Sequence, residues 1–137
     1  MVSGGAARLG DSTIALVDPF DLPDWLGTEL VTWAATSALT SGPLVQGVLE
    51  GPAGQQQPLD LLACDAAYPK PLLADDERRQ AHQAWQFGEV LFISYDGRPT
   101  AAMPGSRFDA NEACEVIRRV AKAVGASPAP FTVAIAL

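Results

Sequence analysis

Apolar residues run along this chain in short blocks separated by proline- and glycine-marked breaks, and the period of those blocks switches twice from that of a strand to that of a helix. Residues 1–13 are small and polar and predict a flexible arm, with Ile14 to Val17 as a short first strand. In LVTWAATSAL (30–39), Val31, Trp33 and Ala35 fall on one face and Thr32, Ala34 and Thr36 on the other. The Thr, Val and Trp content predicts a strand, against a rival helix starting near Asp24. Ser41-Gly42-Pro43 is turn chemistry. LVQGVL (44–49) reads as a strand, GPAGQQQP (51–58) as a loop, and LDLLACDAAY (59–68) as a buried strand that Pro69 and Pro71 end.

Asp75, Asp76 and Glu77 place negative charge where a helix start favours it, and that helix runs to about Phe87. Ala81, Ala84 and Trp85 point inward, with Leu73 ahead of them, and Gly88 suits the left-handed position that ends a helix. EVLFISY and RPTAAM flank Asp96-Gly97, the pair a type I′ hairpin turn prefers. Asp109 and Glu112 have the spacing of a capping box. Behind them Ala113, Val116, Ile117, Val120 and Val124 form an inward stripe at helical spacing. Glu112, Glu115, Arg118, Arg119 and Lys122 make the outer face, with Glu115 and Arg119 four apart, and Gly125 stops the helix. FTVAIAL (131–137) alternates, with Phe131, Val133, Ile135 and Leu137 on one face. The order β-β-β-α-β-β-α-β over a single domain, 14–137, predicts an α+β fold. We expect a mostly antiparallel sheet of five to seven strands with the two helices packed on one face.

Charge narrows the function. The 137 residues carry 16 acids against 9 bases, a net charge of −7. Duplex binding needs basic groups that displace counterions and anionic lipid surfaces need the same sign, so the chain predicts neither a nucleic-acid nor a membrane partner. The opening residues lack the apolar run of a secretory signal, and two cysteines do not make a disulfide scaffold. We therefore expect a cytoplasmic protein with reduced thiols.

Reactive constellations are sparse. Cys64, followed by Asp65, with His82 as the sole histidine, admits a small thiol-dependent hydrolase. The plainer reading makes Cys64 a small apolar core residue. One histidine and two distant cysteines do not build a closed zinc site. Asp75, Asp76 and Glu77 are adjacent and splay around a helix start instead of converging, and no glycine-rich phosphate loop stands between a strand and a helix. No metal or cofactor is expected, and catalysis ranks below protein contact.

DPFDLPDWLG (18–27) resists regular structure because of its prolines, yet carries Phe20, Leu22, Trp25 and Leu26. Aromatic anchors of this kind fill grooves on partners, so Phe20, Leu22 and Trp25 are candidate contact residues, unless the segment covers its own sheet. Trp85 and Phe87, close to His82, are a second candidate surface or, equally, part of the core. If FTVAIAL lies on a sheet edge, its unpaired amides invite a second copy, and a homodimer follows. A further alternative is an apolar small-molecule pocket between sheet and helices.

DPFDLPDWLG, LLACDAAYP and AHQAWQFGEVL resemble segments of short proteins of unknown function from GC-rich Gram-positive bacteria. The resemblance spans most of the chain and implies a stand-alone cytoplasmic protein. It assigns no residue a role.

Overall fold

The computed structural model describes residues 7–9, 12–16, 22–27, 30–39, 42–64, 73–124 and 131–134. Its elements are β1 (Ala7–Leu9), β2 (Ser12–Leu16), β3 (Val31–Ala35), β4 (Leu44–Val45), β5 (Gly47–Glu50), β6 (Gln56–Pro58), β7 (Asp60–Ala63), α1 (Asp75–Gln86), β8 (Leu91–Tyr95), β9 (Arg98–Met103), α2 (Ala110–Ala123) and β10 (Phe131–Ala134). A 3₁₀ turn covers Asp24–Gly27. The class is α+β, as the periodicities predict. Among the described residues most pairings are antiparallel, and only β7 with β9 and β3 with β10 run parallel.

The strands divide into two sheets where one was expected. One has six strands in the order β1-β2-β8-β9-β7-β4, and the other four in the order β10-β3-β5-β6. The division falls inside the stretch 44–49, read as one strand. Leu44 and Val45 pair with Leu62 and Leu61 in the large sheet, while Gly47 to Glu50 pair with β3 in the small one. Gln46 between them is exposed. Its carbonyl accepts the Thr36 amide at 2.8 Å and its own amide reaches Ser37 Oγ at 2.9 Å. Next to it only glycine fits: a Cβ on Gly47 would sit 2.4 Å from the Trp33 ring. Two short strands also appear where none was read. β6 forms within the expected loop 51–58, and β1 within the expected arm, where it pairs with β2.

Alternation along β7, β8 and β9 corrects the expected placement of the helices. Leu61, Ala63, Phe92, Ala101 and Met103 join the main core with Trp33, Leu49 and Leu59 of the small-sheet side. Ala113, Val116, Ile117, Val120 and Ala121 of α2 close the same core. Leu62, Ile93, Tyr95 and Ala102 point the other way, into a second core with Leu73, Cys64 and Ala81 of α1. The helices therefore cover opposite faces of the six-stranded sheet. The physical reason lies in β7, whose four residues are all buried: a strand buried on both faces needs cover on both.

Local chemistry fits the reading elsewhere. Asp96 and Gly97 both take positive φ, 53° and 77°, between β8 and β9. Asp109 caps α2, its Oδ1 accepting the Glu112 amide at 2.8 Å.

Candidate functional site

Two constellations gather polar groups around a tryptophan, and they differ in what they leave open. The first sits between the sheets. Asp60, at the start of β7, has a side chain only 2% exposed. Arg98, opening β9, donates to it twice, Nε to Oδ2 at 2.8 Å and Nη2 to Oδ1 at 3.0 Å. The Gly47 amide donates to Oδ1 at 3.1 Å, and Arg98 Nη2 also reaches the Gly47 carbonyl at 3.3 Å. Beside them Trp33 Nε1 donates to the Leu59 carbonyl at 2.8 Å. The hydrogen bond to Asp60 raises the Arg98 pKa above its ordinary value, against the opposing effect of burial. Every strong group here is used to join β5 and β3 to β7 and β9.

The second lies at the end of α1. The helix stops at Phe87, and Gly88 takes φ of 80°, the left-handed conformation expected of it. The Glu89 amide returns to the Ala84 carbonyl at 2.8 Å, which turns the chain tightly toward β8. Arg119 of α2 clamps this turn. Its Nη1 donates to the carbonyls of Trp85 at 2.8 Å and Glu89 at 3.0 Å, and its Nε donates to Glu115 at 2.8 Å. Its guanidinium carbon lies 3.5 Å from the centre of the Trp85 ring, a cation–π contact. Desolvation lowers the Arg119 pKa from its ordinary value, and at physiological pH the group stays a cation.

Two depressions flank Glu89. On the α1 side Gln80, Gln83, Ala84, Phe87 and Leu91 line about 300 Å³. On the α2 side Gly88, Val90, Phe92, Arg119, Lys122 and Ala123 line about 310 Å³. Phe87, which lines the α1-side depression only, stands 71% exposed on the clamped turn.

The sequence-predicted residues separate accordingly. Leu22 is buried in the main core and Trp25 packs against it, with the Trp25 ring about 3.0 Å from where a Gly51 Cβ would stand. That part of DPFDLPDWLG covers its own domain, and Phe20 lies outside the described residues. Trp85 is half-buried, its ring taken up by Arg119 and the main core, and Phe87 is the aromatic left outward. Cys64 is fully buried and its thiol donates to the Met103 carbonyl at 3.1 Å, whereas His82 is exposed on α1. The two therefore share no solvent-accessible surface, and Asp65 lies outside the described residues. Among the described residues no group of three or more His, Cys, Asp or Glu side chains is placed to hold a metal ion, and no helix is long and apolar enough to cross a membrane. Sequence reasoning missed the clamp because Arg119 has the spacing of an ordinary solvated helix face. It missed Asp60 because its partner stands 38 positions away. No protein-family model, curated protein or solved structure matches this chain.

Proposed function

We propose that this is a cytoplasmic, non-catalytic protein-contact module, and that its partner is a second copy of itself docked through the end of α1. Phe87 carries the reading: a large aromatic, mostly solvent-exposed, on a turn that Arg119 fixes at both carbonyls. Rigid aromatic anchors beside pockets are the typical hot spots of interfaces. A two-fold contact must be self-complementary, and this face supplies both halves. Phe87 is the knob, and the depression beside it, floored by Ala84 and Leu91, is the hole. Its polar lining is Gln80, Gln83 and Glu89, so two copies of a net-acidic chain meet there with only one carboxylate each.

Light scattering on purified chain tests this. At about 100 μM, where micromolar contacts are saturated, the expected mass is that of a dimer. Phe87→Lys keeps a favourable charge at a helix C-terminus and should return a folded monomer. A monomeric wild type, or a Phe87→Lys variant as dimeric as wild type, overturns the proposal.

A further inference from the structure

The α2-side depression has a different character from the Phe87 face. Its floor is apolar, made by Val90 and Phe92 where the chain enters β8 and by Ala123 in the last turn of α2. Its volume of about 310 Å³ stands at the small end of ligand pockets, about 300–1,000 Å³. The rim carries Arg119 and Lys122, one helical turn apart, against the single acid Glu89. In a chain of net charge −7, that rim reverses the overall sign.

Both cations keep donors in reserve. Arg119 spends Nε and Nη1 on Glu115 and the two carbonyls, and among the described residues Nη2 carries no hydrogen bond. Lys122 is exposed and forms no ion pair among the described residues. The clamp fixes the guanidinium before any ligand arrives, so little side-chain freedom is lost on binding.

We propose that this depression binds a small amphiphilic carboxylate, with its hydrocarbon part on Val90, Phe92 and Ala123 and its carboxylate between Arg119 and Lys122. A free molecule of this class fits the volume, which is too small to seat a folded partner. The ligand lies apart from the Phe87 knob, and the inference does not depend on dimerisation.

Sodium octanoate is the probe, titrated by calorimetry and by amide chemical shifts, with octylamine as the control of equal chain length and opposite charge. The expected dissociation constant for octanoate is about 1 mM, as a ligand this small allows, with shifts confined to residues 88–92 and 119–123. Octylamine should bind at least about tenfold more weakly, and Lys122→Glu, a surface change that leaves the core intact, should weaken octanoate about tenfold. Ala123→Phe should remove binding by filling the floor. Absence of octanoate binding at about 10 mM, well above that constant, overturns the proposal. So does equal binding of the amine, or a Lys122→Glu variant that binds as wild type does.

Discussion

The inter-sheet joint and the α1 clamp use the same parts, a tryptophan, an arginine, a carboxylate and backbone carbonyls, to opposite ends. At the joint, Arg98 meets a carboxylate that has no other access to charge, and the indole N–H is spent on Leu59. At the clamp, the acid Glu115 is itself shared with Arg118, and Arg119 is left with a donor, an aromatic neighbour and an open apolar floor beside it. A polar network that closes on itself stabilises a fold. One that closes incompletely at a surface leaves chemistry for something else to use.

The comparison predicts an ordered series of losses. Arg98→Met strands the Asp60 carboxylate with only the Gly47 amide, and leaving a buried charge unpaired costs about 3 kcal/mol. Asp60→Asn should cost less, about 1–2 kcal/mol, because the Arg98 side chain is 34% exposed and can turn to water. Urea midpoints of the two variants measure the difference, and equal losses would mean that Asp60 is no more desolvated than Arg98.

At the clamp the expected effect is smaller and local. Arg119→Met keeps the packing volume but gives up the cation–π contact, two carbonyl bonds and the Glu115 ion pair, for about 1 kcal/mol. Amide exchange at residues 88–90 should accelerate while the β7 and β9 amides stay protected. A uniform acceleration across both regions would erase the distinction between them.

The smallest effect lies at the start of α2, away from both. Burial raises the Glu112 pKa first, the Asp109 charge adds to it, and a hydrogen bond from the Asp109 backbone pulls it back. A carboxyl raised in the folded state costs stability when ionised, so that cost is present at neutral pH. It is relieved as pH falls through the folded value and is gone below the unfolded one. Glu112→Gln should therefore be a few tenths of a kcal/mol more stable than wild type at pH 7, given its partial exposure, and indistinguishable below about pH 4. A gap that widens on acidification would contradict the sign.

Much of the secondary structure was legible because its signals are local. The Asp96-Gly97 turn, the Asp109 cap and the stripe from Ala113 to Val120 each depend on residues within a few positions of one another. The split at Gln46 was not legible: LVQGVL passes for one strand, and although Gln46-Gly47 interrupts its apolar run, a glycine inside a strand marks a bulge or bend as readily as a change of sheet. The same holds for the helices. Ala81 and Val116 show that each helix has an apolar face but not which side of the sheet it covers, and that becomes visible only from the double burial of β7. Of the candidate site, Trp85 and Phe87 were readable as aromatic surplus at a helix end. Which of them turns outward was decided by Arg119, 34 positions from Trp85.

Gln46 gives the two sheets a common hinge pin with no slack. A single residue separates two strands that belong to different layers, so neither layer can slide or peel without dragging the other. An insertion of one residue there would invert the facing of β5 relative to β4 and put Val48, in place of Gly47 and Leu49, toward Trp33. The exposed loop tip at 52–54, by contrast, lies outside that linkage and should accept added length with little consequence.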